Sequence, residues 1–501
     1  MPISNFTTLD WVIVAAYLLG TVGIGVYVNR FIKGMDGFLV AGRSLRTRLG
    51  VATMVGSELG LVTAMYSAQK GFTGGFAAFH IGLLAGIATF AVGVTGLIVV
   101  PLREMRIKTI PEYYERRFGS RRLRIAGGLI LALSGILNMG LFLKAGAIFV
   151  TGLTGMTDPT IINWVMTIMI VLVLLYTALG GMVSVIITDF VQFVVLSFGL
   201  LLACGIAVYK LGWSNIVEHV TTVHGAAGFD PLHADGFGPS YVTWMFFLGV
   251  ISCAVWQTAV MRACAAESTE VVKKLYKWSS IGFVIRNVLP QFLGICALTY
   301  LFQNPDLKDT FFTDGAINQD QSMAAMPVFL SQILPVGIIG LVGAGMLAAF
   351  MSTHDTYLLC WASVLVEDVV APSRKSPLSQ KARLLLTRLF LVAIAGFLLI
   401  WSMWYELDQD LWDYMAVSGA IYFTGAFAVL LLGIYYKEAS SAGAWMGLLG
   451  GLTAVFGLGA FQKALHLDTW FESHGITGAH IGLAAVGLSL AGMLIGSALF
   501  P

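Results

Sequence analysis

Thirteen apolar runs, each near the ~20 residues a bilayer asks of an α-helix, set what this chain can become. They fall near 9–29, 49–69, 76–100, 125–153, 160–182, 186–209, 241–265, 278–302, 331–364, 384–404, 413–436, 443–464 and 480–500. In hydrocarbon every backbone N–H and C=O must be satisfied within the segment, so runs of this kind become spanning helices. Of 501 residues, 57% are hydrophobic and 11% charged, against roughly 25% charged in a soluble domain. No long polar stretch divides the runs into separate units. The expectation is an all-α polytopic membrane protein with about 13 transmembrane helices, a single transmembrane domain over 1–501. Nucleic acid is not a partner on this reading, because the net charge is only +2 and the basic residues sit in short loops beside the bilayer.

Most of the 29 Lys and Arg fall in alternate loops. These hold Arg30, Lys33, Arg43, Arg46 and Arg48, the 103–124 segment, the 262–277 segment, the 374–388 segment and Lys437. The positive-inside rule then puts the N-terminus outside and the C-terminus inside a cell (inner) membrane. Lys70, Lys210, Lys308 and Lys463 are left to the outer side, and Lys144 and Arg286 to spans. The first run follows MPISNFTTLD, which lacks a basic n-region and carries Asp10, so it reads as a retained helix. The five cysteines are scattered without CxxC spacing, as small buried hydrophobes are. His219, His224 and His233 read as part of a solvated outer loop.

Two runs carry residues that hydrocarbon penalises. GAGMLAAFMSTHDTYLL, Gly343 to Leu359, places Ser352, Thr353, Asp355 and Thr356 in an otherwise apolar segment. Oxygens there need a partner, and a hard cation is one that wants several of them. VATMVGSELGLVTAM has Gly56, Ser57, Glu58 and Gly60 near its middle, where glycine lets a helix unwind and offer carbonyls to an ion. Both runs are therefore expected to be interrupted helices, whereas Gly82-xxx-Gly86 reads as close helix packing. Glu58, Asp189, Asp355, Lys144 and Arg286 are ionisable groups at depth. Each costs roughly 2.5–3.5 kcal/mol there and so has a task or a partner. A hydrolase built on Ser352, His354 and Asp355 fails, because neighbours on one helix point to different faces; the protein is not read as an enzyme.

Four segments together resemble the sodium:solute symporters. They are YTALGGMVSVIITDFVQ (Tyr176 to Gln192), LAAFMSTHDTYLL, WQTAVMRACAAES (Trp256 to Ser268) and the cytoplasmic PEYYERRFG (Pro111 to Gly119). The resemblance implies a LeuT-like core of two inverted five-helix repeats, 49–209 and 241–436, with a leading helix at 9–29 and trailing helices over 443–501. It implies a first sodium on Gly56, Leu59, Ala349, Ser352 and Thr353. A further sodium is implied on Asp189, Asp355 and Thr356, although Asp355 stands where serine is more usual. Two carboxylates there either hold sodium tightly or keep one proton through mutual repulsion.

The implied substrate site comprises Glu58, Gly60, Thr63, His80, Gly82, Lys144, Gly249, Ser252 and Gln257. An ammonium at Lys144 suits a substrate carboxylate, and a Lys144–Glu58 pair is the competing reading. The expected function is sodium-coupled import of a small carboxylate-bearing solute by alternating access, with one or two Na+ per cycle. Candidate solutes are an amino acid, an organic acid or a sialic acid-like sugar acid, carried by a monomer or weak oligomer. Proton coupling through Glu58 and Asp189 and a transporter-like sensor are the alternatives.

Overall fold

The computed structural model describes residues 4–29, 45–156, 158–179, 182–234, 236–406 and 409–501. Side chains over 182–190, Asp189 among them, and the residues Arg30, Lys33 and Arg43 lie outside the described set. The chain is helical almost throughout; its one described sheet is a two-stranded hairpin, Phe312–Thr313 against Ala316–Ile317. Among the described residues the thirteen apolar runs fall on helical segments, some of them broken into two or three. Among the described residues nine helical stretches have the length and apolarity to cross a membrane, and three more, Thr8–Thr21, Thr160–Leu175 and Ser441–Gly457, are apolar but shorter.

The bundle turns apolar side chains outward and keeps its polar ones within a largely apolar interior. Gln380–Trp404 turns Leu385, Leu389, Val392 and Ile400 outward, all more than half exposed. Ile338–Val364, by contrast, buries Ser352, Thr353, His354, Asp355 and Thr356. Helix starts near the basic loops carry side-chain caps: Thr109, Ser120, Ser268, Ser379 and Ser440 each accept a backbone N–H of the following turn. The last glycine of PEYYERRFG, Gly119, ends Ile110–Phe118 at φ +63°, a left-handed cap that few other residues adopt readily.

Two interruptions frame the centre. The first, expected from glycine, separates Thr47–Gly56 from Leu61–Gly74 at residues 57–60. The second differs from expectation. Ile338–Val364 runs unbroken for 27 residues, and the break lies instead at Trp256, between Gly238–Val255 and Gln257–Ala265. The glycines of the ninth run serve packing: a Cβ on Gly340 would meet Asp10 Cα at 2.7 Å, and one on Gly343 would meet Leu153 at 3.0 Å. Asp10 itself accepts from the N–H groups of Gly337 (2.7 Å) and Gly340 (3.0 Å), so the leading helix caps the start of Ile338–Val364.

Glycine also fixes how the first broken helix meets Thr269–Gln303. A Cβ on Gly71 would lie 1.9 Å from Gln291 O, and one on Gly294 1.9 Å from Ala68 O. Gly82 and Gly86 of Phe79–Thr95 face Asn287 and Val284 of the same long helix. Gly82 is therefore a packing residue in the structure, the role read from its spacing with Gly86, and not a wall of the central cavity.

Candidate functional site

The broken segment 57–60 lies directly against the middle of Ile338–Val364. Thr353 Oγ1 donates to Ala349 O at 2.9 Å and reaches Ser57 O at 3.5 Å. Gly60 is so close that a Cβ there would stand 2.4 Å from Thr353 Oγ1. At the break, Glu58 O is taken by Thr63 Oγ1 (2.7 Å) and by an Arg286 N–H (3.1 Å). Gly56, Ser352 and Thr353 are buried, and Leu59 is 4% exposed. The backbone of 56–60 and the hydroxyl-bearing face of the ninth span thus meet without intervening side chains, the arrangement in which main-chain and hydroxyl oxygens can surround a small cation. Asp355 and Thr356, one turn on, are also buried, and Thr356 Oγ1 has no hydrogen-bond partner among the described residues. Gln192 donates to Ala348 O at 2.8 Å, which brings Met182–Leu211 beside the same face.

Between the two broken helices lies a cavity of about 100 Å³. Its walls include Glu58, Ser252, Trp256, Arg286, Tyr357 and Trp412, with further aromatic faces from Tyr66, Phe283 and Phe423. Gly249 and Ser252 line a smaller adjoining space that also reaches Arg286. Trp256, at the second break, is held by its indole N–H on Tyr357 OH (2.9 Å) and packs edge-on against Trp361 and Phe423.

The charged residues of this cavity are Glu58 and Arg286, the latter its one cation among the described residues. The Arg286 guanidinium lies 3.2 Å from Glu58 Oε2 and stacks over Phe283 at 4.1 Å. Arg286 is 9% exposed, and its Nε has no partner among the described residues. Thr258 Oγ1 donates to the other Glu58 oxygen at 3.3 Å.

Several expected substrate residues lie elsewhere. Lys144 is the main correction: its ammonium donates to Tyr405 O at 2.8 Å, beside the end of Gln380–Trp404, and does not line the cavity or meet Glu58. The one-turn interruption at Met139–Leu141, between Arg121–Asn138 and Phe142–Thr154, redirects this helix so that Asn138 rather than Lys144 borders the cavity. Gln257 turns toward the basic loop, accepting from Ile110 N (3.1 Å) and donating to Lys108 O (3.3 Å). Thr63 serves the break through Glu58 O, and Gly60 packs on Thr353.

His80 belongs to a second polar cluster, where it packs edge-on against Phe237 and Tyr241. That cluster centres on Lys70, which is 3% exposed within Leu61–Gly74. Its ammonium lies 2.7 Å from both Asp410 and Asp413, and Tyr241 OH donates to Asp413 at 2.8 Å. Of the histidines read as a loop, His219 and His224 lie instead on the helix Trp213–His224, where His219 bonds Asn215 O, and His233 beyond it bonds Asp230 at 2.6 Å. The Asp230 carboxyl is held below its usual range by that bond and by Leu232 N–H.

Comparison with known proteins bears on the fold and the family. The chain is 25% identical to the sodium/sialic acid symporter NanT of Aliivibrio fischeri, over 95% of this chain and 92% of that protein. It is 24% identical to the sodium/sialic acid symporter SiaT of Proteus mirabilis, over 91% and 90%. Its fold matches a Na+-coupled sialic acid symporter solved substrate-bound and outward-open, at TM-score 0.78 and 20% identity, over 99% of this chain and 98% of that one. MhsT in complex with L-phenylalanine matches at TM-score 0.53 and 13% identity, over 90% and 98%. The sequence model of the sodium:solute symporter family covers residues 38–451, and the chain belongs to that family of multi-pass membrane transporters, with sodium as the coupling ion.

Proposed function

We propose that this transporter imports a small carboxylate-bearing solute together with sodium, the carboxylate docking on Arg286. The observation that carries this reading is the guanidinium at the wall of the central cavity, with one N–H edge engaged by Glu58 and its Nε without a partner. Arginine's planar fork matches a carboxylate with two parallel hydrogen bonds. Glu58 beside it suits a substrate N–H or O–H, and the surrounding rings suit a compact apolar body. An amino acid or small organic acid meets all three demands.

Sodium bound by the carbonyls of Gly56, Leu59 and Ala349 and the hydroxyls of Ser352 and Thr353 would fasten the 57–60 break to the ninth span. Glu58 lies in that break, so fastening it also sets the substrate wall, and the two ligands raise each other's affinity by one factor. A tenfold sodium gradient supplies about 1.4 kcal/mol, and ~100 mV supplies about 2.3 kcal/mol per charge. One sodium carried with a monoanion forfeits the voltage term. A second ion on Asp189, Asp355 and Thr356 restores it and gives that cluster a purpose. The two inverted repeats, an outside N-terminus and an inner-membrane location complete the reading.

The test is thermal stabilisation of the purified protein by a panel of amino acids, organic acids, sialic acids and neutral sugars, each in sodium and in potassium. Carboxylates that stabilise only in sodium are expected. Arg286→Gln should weaken the best of them by at least ~30-fold, the effect of truncating a desolvated charge partner. Equal stabilisation by uncharged sugars, or an unchanged affinity in Arg286→Gln, would refute the assignment.

A further inference from the structure

Below the sodium-site hydroxyls the same helix carries polar residues at alternating steps of three and four: Thr353, Thr356, Cys360, Ser363 and Glu367. That spacing keeps them on one face, and it descends about 21 Å at 1.5 Å per residue. The stripe ends at a second cavity, of about 140 Å³, which Cys360, Ser363 and Glu367 line from one side. Thr109, Glu112 and Arg124 line it from the other, beside the PEYYERRFG helix. Just past Ser363 the helix loosens into a π-helical turn, Leu365–Val370, a departure from α geometry that recurs at functional sites.

The unmet valence in this cavity belongs to oxygen. Ser363 is 3% exposed, and its Oγ has no hydrogen-bond partner among the described residues. Glu367 holds Arg383 through Oε2 at 2.5 Å, while its buried Oε1 has no partner among the described residues. Two basic residues, Lys108 and Arg124, also line the chamber, and the Arg124 guanidinium is already engaged. Arg124 donates to Glu115 (2.8 Å), Asp368 (2.9 Å) and Glu367 O (3.0 Å), and Glu112 is held by Arg116 and by Lys108 N–H. A carboxylate oxygen and a hydroxyl left over beside a fully engaged Arg124 call for a positive ligand, not an anion.

We propose that this chamber is a second station for the coupling cation, where a sodium ion released from the Ser352–Thr353 site rests on Ser363 Oγ and Glu367 Oε1 before entering the cytoplasm. The stripe is its route, with Thr356 Oγ1, also lacking a partner among the described residues, as the intermediate foothold. This inference rests on the sodium assignment made above. Its consequence is a weaker, inward-facing sodium affinity that makes transport sensitive to internal sodium.

Equilibrium binding of ²²Na+ to the purified full-length protein tests it. The wild type should show a tight component and a weaker one. Thr353→Ala should abolish the tight component. Ser363→Ala should leave the tight component intact and weaken the other by about tenfold, as the loss of one of few ligands does; Glu367→Gln should do the same, with melting temperature as the check on folding. A Ser363→Ala isotherm superimposable on the wild type overturns the station, as does one in which both components weaken together. An unchanged Thr353→Ala isotherm instead refutes the sodium site above, leaving the Ser363 result to be judged alone. Asp355→Asn separates the upper second ion: a weak component lost in Asp355→Asn but kept in Ser363→Ala belongs there and also overturns the station.

Discussion

Gly60→Ala is the most economical probe of how sodium and substrate are joined. An added Cβ would lie 2.4 Å from Thr353 Oγ1 and 3.4 Å from Thr353 Cβ, where ordinary contact begins at 3.4 Å. The break and the ninth span must therefore separate by about 1 Å, or the hydroxyl must rotate away; either removes an oxygen from a cation whose ligand distances tolerate only tenths of an ångström. Overpacking of this order costs about 1–3 kcal/mol, which as a coupling free energy is roughly 5- to 150-fold. The expected result is a sodium half-saturation raised within that range, with solute affinity unchanged at saturating sodium. The assay is sodium-dependent thermal stabilisation, titrated with and without the best solute. Thr353→Ala in the same background makes room for the methyl but supplies no hydroxyl, so it should not restore sodium affinity. A Gly60→Ala protein with wild-type sodium dependence would refute the claim that this contact is the ion site.

Other substitutions separate neighbouring roles. Lys144→Ala should leave solute affinity unchanged, since the ammonium serves Tyr405 O; a tenfold loss in the binding titration would return Lys144 to the substrate site. Lys70→Met leaves Asp410 and Asp413 facing each other without their cation, and about 3–5 kcal/mol of stability should go with it. The double variant with Asp413→Asn should recover part of the lost melting temperature. Asp10→Ala removes the cap on Ile338–Val364 and should cost about 0.5–2 kcal/mol in stability, read as a lowered melting temperature with sodium affinity retained.

Apolar periodicity alone placed the helices, because bilayer length is a strong constraint and basic loops punctuate it. The break at 57–60 was legible because Gly56 and Gly60 flank a charged residue. The break at Trp256 was not, since an aromatic among apolar residues carries no local signal; it is held by contacts to Tyr357, Trp361 and Phe423, which are distant in sequence. Likewise Arg286 was visible as a charge within a span, but only the fold shows it meeting Glu58. Lys144 looked equivalent until the turn at Met139–Leu141 swung it toward Tyr405. The aspartates partnering Lys70 lie in WYELDQDLWDY, a cluster dense enough to have suggested a buried cation opposite.

The absent side chains at Gly71, Gly294, Gly82 and Gly86 leave Leu61–Gly74, Phe79–Thr95 and Thr269–Gln303 in backbone-close contact with no slack to shear. Backbones this close leave no room for a side chain between them, and the expectation is that the three segments move together. If transport proceeds by alternating access as proposed, that block is expected to move as a whole against its surroundings. The compliant joints lie where the chain is already bent, at 57–60 and at Trp256. Probes attached anywhere on the block should report the same displacement, and a spectroscopic ruler between two of its members should read a constant length through the cycle.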